Sequence, residues 1–537
     1  MAPKTTSIPP FQESSLASIS EDVAVLRATY MTNRTKDIQF RLKQLRKLYW
    51  GLIDYTPLLE EALIKDIGKV PHEAALSDIG WAVNECMDFI AHLEKWAKDE
   101  KVVNTPLTMS VVKPRIRSEP LGVVLVMGAF NFPVQLSITP MIGAIGAGNA
   151  VLLKPSENAP NTAMVLTKLI EEYLDPDCYR CVNGSLALTQ EILNQKYDKI
   201  CFTGSKKVGT IIAKKAAETL TPVLLELGGQ NPAFISKNAN LKLAARRLLW
   251  AKTHNAGQVC VSQNYALVER AVVPQFIEEL KKSYKEFMPQ GAKASPDYAR
   301  INNKSSFDRL KKMLDSSGGK IVLGGSMDES DLFFEPTVVL VEDPDDILIT
   351  EETFGPIWSI FPVDSVDQAI DLANKVDRTP LSLYTFGSDA ENAKVLTSVT
   401  SGGATTNDGY THSSVAQAPF GGVGSSGTGN YHGYYSFKAF SHQRAIATVP
   451  AWADAFLRVR YMPYSNSELK RFKGMTTAKP NFDRDGNVTK GLGYWIGFVF
   501  GLGGSSAKSA VLRPVDDKFA LQNQKNGNSS AAELVDR

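Results

Sequence analysis

The 537-residue sequence is short of cysteine, of histidine and of any charge imbalance. Five cysteines (Cys86, Cys178, Cys181, Cys201 and Cys260) are too few, and odd in number, for a disulfide framework. Free thiols in a reducing compartment are the reading they support. Cys178-x-x-Cys181 has no second cysteine pair and no histidine pair to complete a zinc site, so no metal is expected. The 59 Lys and Arg nearly cancel the 57 Asp and Glu, and a net charge of +2 gives no overall attraction to nucleic acid. Residues 1–20 are polar and lack the apolar stretch of a secretory signal. No run reaches the roughly 20 apolar residues of a membrane-spanning helix. What remains is a chain too long for one core, which predicts two large domains with small additions.

Residues 1–20, with their Pro and Ser, read as a disordered or loosely docked arm. From 21 to 101 the pattern is helical: Leu42, Leu45, Leu48 and Leu52 recur at helical spacing among Lys and Arg, a stripe made to pack on a core. Residues 102–116 alternate weakly, in the manner of a β-hairpin extension. Short apolar runs at 123–126, 151–153, 199–202, 223–225 and 233–235 then alternate with helical stretches and Gly-, Pro- or Asn-rich loops. That alternation predicts a parallel, doubly wound α/β sheet, with ligands beyond the carboxyl ends of its strands. A second α/β segment follows, with a strand at 265–268 and a helix at 273–287.

Asn255-Ala256-Gly257-Gln258-Val259-Cys260 is the stretch around which the chemistry is organised. Cysteine attacks as its thiolate, and Gly257 permits a tight approach to it. Upstream, Glu226 closes an apolar run before Gly228-Gly229. A carboxylate in apolar surroundings is raised toward neutrality and serves as a base. A thiol with such a glutamate suits a covalent intermediate cleared by activated water; alone, the cysteine is as well read as a small buried hydrophobe. Asn131, in the loop after the first strand, is either an amide aimed at a developing oxyanion or a turn residue. Lys154-Pro155-Ser156-Glu157 is either a pair that holds a ribose or a capped helix entry. Gly204, Ser205 and Gly209 sit where a strand passes through a turn into a helix, whose first amides suit a pyrophosphate; the spacing is not GxGxxG. Glu352 and Phe354 belong to a loop with paired acids and an aromatic.

The tail differs in character. Residues 451–490 hold eight Lys/Arg against four Asp/Glu, and 491–507 hold no charge, nine apolar residues and six glycines. This pattern suits a segment that lies in a membrane interface or docks on protein. Residues 510–537 read as disordered.

Taken together, the motifs resemble the aldehyde dehydrogenase superfamily over about residues 25–445. Asn-Ala-Gly-Gln-Val-Cys at Cys260 is similar to its nucleophile signature and Leu-Glu-Leu-Gly-Gly at Glu226 to its glutamate signature. Phe-Asn-Phe-Pro, Lys-Pro-Ser-Glu, Phe-Thr-Gly-Ser and Glu-Glu-Thr-Phe-Gly-Pro follow in family order. The stretch 419–433, with Phe440-Ser-His-Gln-Arg444, resembles the class 3, or fatty aldehyde, branch, and within it fungal enzymes that oxidise long apolar aldehydes. Gln230 and Lys206-Lys207 depart from the usual pattern.

The resemblance implies a Rossmann-like cofactor domain (21–101 and 119–227), an α/β catalytic domain (228–429), a small β oligomerisation arm (102–118 and 430–448) and a tail (449–537). It implies Cys260 as nucleophile, Asn131 with the Cys260 N–H as oxyanion holder, and Glu226 as the base that activates water. It also implies NAD, with NADP tolerated, bound by Lys154, Glu157, Gly204, Ser205, Gly209, Glu352 and Phe354. The substrate it implies is a long-chain aldehyde, an apocarotenal above a hexadecenal-type fatty aldehyde, with CoA-acylating chemistry as the alternative. A homodimer in the cytoplasm, in peripheral contact with an intracellular membrane, completes the expectation.

Overall fold

The computed structural model describes residues 5–105, 107–476, 480 and 482–488; the segment 491–507 lies outside them. The described residues fall into two compact units, one from 5–105 and 113–448, the other from 106–112 and 449–488.

The larger unit is built on two sheets. In the first, the order is Gly427–Thr428, Val223–Glu226, Lys199–Thr203, Val123–Met127, Ala150–Lys154, Tyr179–Cys181. All its pairs are parallel except the first, where Gly427 lies opposite Glu226. Val123–Met127 and Ala150–Lys154 are buried along their whole length, as strands covered on both faces must be. Val124, Val126, Val151 and Leu153 face the helices Ile38–Ile67, Ile79–Trp96 and Gln135–Ala147. Val123, Leu125 and Leu152 face Ser18–Met31 and Lys206–Ala217. Period-2 alternation thus feeds two cores from one sheet.

Ile38–Ile67 starts where Asp37 accepts the Phe40 N–H at 2.7 Å and stops at left-handed Gly68. Its leucine stripe, Leu42, Leu45, Leu48 and Leu52, is at most 2 % exposed. Of the two readings for the arm, disordered or docked, residues 5–17 follow the second: Thr5 bonds Glu172, and Ser14 donates its N–H to the Asn183 carbonyl at 2.7 Å.

The second sheet runs Lys320–Leu323, Thr337–Leu340, Ile357–Val363, Tyr265–Glu269, Pro232–Ile235, Ser382–Phe386, Gly403–Thr406. The fifth apolar run, 233–235, therefore belongs here and not to the first sheet, a correction to the single-sheet reading. The chain changes sheets across Gly228-Gly229. At Gly228 a Cβ would lie 2.2 Å from the Glu352 carboxylate, so a side chain there would displace that carboxylate.

Glu100–Lys101, Arg115–Pro120 and Ser441–Ile446 form a separate antiparallel sheet with Ser441–Ile446 at one edge. The hairpin expected in 102–116 closes just outside that stretch, with Glu100 opposite Ile116 and Lys101 opposite Arg115, and Ser441–Ile446 adds a third strand to it. In the smaller unit, Asp454–Leu457 and Asn466–Thr476 are helical. Among the described residues no helix is long and apolar enough to cross a membrane.

Candidate active site

The residues singled out in the sequence converge at the carboxyl end of the first sheet. Glu226 ends one strand, Lys154 another, and Ser205 follows a third. They border a cavity of about 550 Å³ that also meets Asn131, Glu157, Gly204, Glu352 and Phe354. Cys260 lies on this cavity and on a second one, of about 160 Å³, walled by Phe132, Leu136, Trp250, Tyr410 and Phe420. The thiol is thus the junction between a polar cleft and an apolar one. Gly209 is buried in the helix Lys206–Ala217, where a Cβ would press on Leu227 at 2.6 Å; it supports the turn from behind and does not line the cavity.

The path into Cys260 is strained. Asn255, Ala256 and Gly257 are all left-handed, with φ of 51°, 50° and 70°, and two of them pay for their Cβ. At Gly257 a side chain would strike the Gly355 carbonyl at 2.3 Å. Hydrogen bonds hold the turn. The Asn255 side chain donates to the main-chain carbonyls of Asn131 (2.9 Å) and Gln258 (3.1 Å), and Gln258 Nε2 donates to the carbonyls of Asn255 and Arg300. Asn231 Nδ2 donates to the Cys260 carbonyl at 2.7 Å. Asn131 is 3 % exposed. Its Nδ2 donates one hydrogen to the Gln258 carbonyl at 3.0 Å, which fixes the amide and leaves the second hydrogen for another acceptor.

The electrostatics are those of a site kept neutral until needed. Burial pushes the Cys260 thiol up to about 12, with the Glu226 and Glu352 charges adding to the rise and the Val261 and Cys260 N–H groups opposing it. In the unliganded site the protonated thiol is therefore the favoured form. Burial raises Glu226 well above the usual carboxylate range. Neither of its carboxylate oxygens has a partner among the described residues. Glu352 is raised by burial to about 7, against the pull of Lys252 and Arg309; Lys252, buried nearby, is lowered to about 7. The apolar cavity carries His432, which burial pushes down to about 3. None of the described residues lining that cavity is Asp, Glu, Lys or Arg.

The fit of a dinucleotide can be judged on these residues. The 550 Å³ cavity is of ligand size. Lys154 Nζ lies 2.7 Å from Glu157, which presents a cation and an anion together at its rim. Ser205 caps the helix Lys206–Ala217 by accepting the Val208 N–H, and the helix start opens on the cavity. Thr203 Oγ1 is buried there without a partner among the described residues. Phe354, left-handed at φ 42°, packs edge-on to Phe130 at 5.9 Å. A phosphate-bearing, ribose-bearing ligand fits this donor set.

Sequence reasoning missed several supporting groups. Lys69 and Asp78 form a fully buried pair at 2.9 Å, and Lys69 also donates to the Asn131 carbonyl. Glu73 and His254 brace the turn before Cys260. Asn231, Lys252 and Arg309 were also passed over. These come from distant segments, and only Gln258 and His254, inside or beside the hexapeptide, carried any local signal.

Comparison with known proteins agrees with this geometry. Residues 4–446 match the aldehyde dehydrogenase family. The "beta-apo-4'-carotenal oxygenase" of Gibberella fujikuroi is 59% identical over 506 residues, 94% of each chain. The "aldehyde dehydrogenase, dimeric NADP-preferring" of Canis lupus familiaris is 40% identical over 83% of this chain and 98% of its own. Among solved structures, the substrate-bound state of Staphylococcus aureus AldH superposes with a TM-score of 0.78 at 37% identity, covering 82% of this chain and 98% of that one.

Proposed function

The chain belongs to the aldehyde dehydrogenase family, and from that premise we propose that it oxidises a long apolar aldehyde to the carboxylic acid, with a β-apo-4'-carotenal as the specific substrate. The observation that carries the reading is the position of Cys260, between a ligand-sized polar cleft and a charge-free apolar cavity.

In this reading Cys260 Sγ passes its proton to water and attacks the aldehyde carbon. The oxygen becomes an alkoxide held by the free Asn131 Nδ2 hydrogen and the Cys260 N–H. A bound nicotinamide supplies the acceptor for the hydride that leaves the substrate carbon. Collapse of the alkoxide then leaves a thioester on Cys260. Glu226 takes a proton from water, the hydroxide adds to the thioester, and the acid departs as the thiol re-forms. Lys154 and Glu157 hold the adenosine ribose, the Ser205 turn the pyrophosphate, and Glu352 the nicotinamide ribose. Glu157 favours NAD, because a 2′-phosphate would meet its charge. The edge strand Ser441–Ile446 supplies the surface for a homodimer.

Each methylene taken from water is worth about 0.8 kcal/mol, or roughly a fourfold gain. Hence kcat/KM is expected to climb from acetaldehyde to chains of ten or more carbons. Micellar assays with β-apo-4'-carotenal and with hexadecenal then choose between carotenoid and lipid substrates. Faster oxidation of acetaldehyde or benzaldehyde than of either overturns the long-chain reading. A bilayer-borne substrate also gives a use to the basic stretch 451–490 and the uncharged 491–507. Deleting 451–537 is expected to move the protein from the membrane pellet to the supernatant with activity on short aldehydes retained. A full-length protein found wholly in the supernatant removes the membrane contact.

A further inference from the structure

The helix Pro71–Ser77 touches the nucleophile turn through one carboxylate. Both Glu73 oxygens accept the Asn255 N–H, at 3.2 and 3.1 Å. Glu73 Oε1 also lies 3.2 Å from His254 Nδ1, and the other ring nitrogen, Nε2, is 2.9 Å from Ser77 Oγ. The His254 ring stacks on Phe132, 6.0 Å away and 22° from parallel. His254 is 2 % exposed by its side chain and Glu73 12 %. Glu73 does not line either cavity that meets Cys260. It nonetheless grips the first of three successive left-handed residues, the one whose side chain reaches the Asn131 carbonyl.

We propose that Glu73 is a positioning residue for aldehyde oxidation: through the Asn255 N–H and the His254 ring it holds the strained turn, and so keeps Asn131 and Cys260 in register about the developing alkoxide. A left-handed Asn255-Ala256 pair relaxes unless something fixes it. The Glu73 side chain is the acceptor that fixes it, since its oxygens lie 3.2 and 3.1 Å from the Asn255 N–H. Relaxation would leave both cavities in place and shift the donors relative to the thiol.

The proposal rests on the aldehyde dehydrogenase reading, so its test has one arm without substrate. Glu73→Ala is expected to lower kcat about 10²-fold, the scale of a 1 Å misplacement. KM and dinucleotide affinity should change by no more than about threefold. Glu73→Gln keeps an acceptor for the Asn255 N–H and should recover most of the loss. In an Asn131→Ala background Glu73→Ala should cost little more, because the group it positions is gone. Hydrogen exchange of the peptide spanning Asn255 to Cys260 should quicken in Glu73→Ala and not in Glu73→Gln. Unchanged exchange, a wild-type kcat in folded Glu73→Ala, or losses that multiply with Asn131→Ala overturn the clamp. Should Glu73→Ala not fold, Glu73→Asp, whose carboxylate is drawn back one carbon, decides in its place: a kcat loss at constant KM supports the clamp and a wild-type kcat overturns it. A wild-type protein that turns over no aldehyde strikes the dehydrogenase reading instead, while the exchange arm still judges the clamp.

Discussion

Cys260→Ala is expected to abolish NADH formation from every aldehyde while dinucleotide binding persists. The substitution removes the atom at the junction of the two cavities and leaves Lys154, Glu157, Ser205 and Glu352 untouched. Steady-state absorbance and a dinucleotide titration measure the two halves of the claim. Alanine at Cys86, Cys178, Cys181 or Cys201 should leave turnover intact, since none of these lines either cavity. If Cys260→Ala keeps about a tenth of wild-type turnover, a covalent route is excluded, because loss of the nucleophile costs far more than that. The pH profile follows from the same atom. Burial holds the thiol near 12, so the reactive thiolate is scarce at neutral pH and grows as pH rises. The first-turnover burst of the wild-type enzyme should therefore quicken with pH across the neutral range.

How far the sequence foretold this site depended on how local each cause was. The strands at 123–126 and 151–153 were legible because a strand buried on both faces needs an unbroken apolar run, and such a run is visible in one dimension. The alternation of runs alone did not separate 233–235 from the first sheet; only the motif resemblance, which ends the cofactor domain at 227, put it with the second. Docking of residues 5–17 could be entertained but not its place, since its partners, Glu172 and Asn183, give no sign in the arm itself. The motif residues around Cys260 were marked by their types and order. Glu73 was not, because a glutamate on an amphipathic helix looks like any solvated acid until the fold brings Asn255 to it. The thiol's protonation was not legible either, because burial and two neighbouring acids decide it, and neither is visible in the hexapeptide.

Glu226→Gln separates the two halves of the reaction. It keeps the shape of the side chain and removes its capacity to accept a proton. Glu226 lies buried with both oxygens unpartnered among the described residues, and burial raises it well above the carboxylate range. A raised acid is protonated below its shifted pKa and becomes a base only as pH climbs through it. Wild-type steady turnover should therefore rise with pH, in parallel with the growing basic form. In Glu226→Gln steady turnover should fall ~10²–10⁴-fold, the usual worth of a general base. A single burst of NADH, equal to the enzyme present, should survive. That burst should also peak at lower pH than in the wild type, because the Glu226 charge is among the causes that raise Cys260. Rapid-mixing absorbance at enzyme concentrations comparable to product resolves the burst from the steady phase. Loss of the burst would transfer Glu226 from hydrolysis to activation of Cys260. Restoration of turnover by CoA would show that the thioester is passed to a thiol acceptor, and water would no longer be the partner that Glu226 serves.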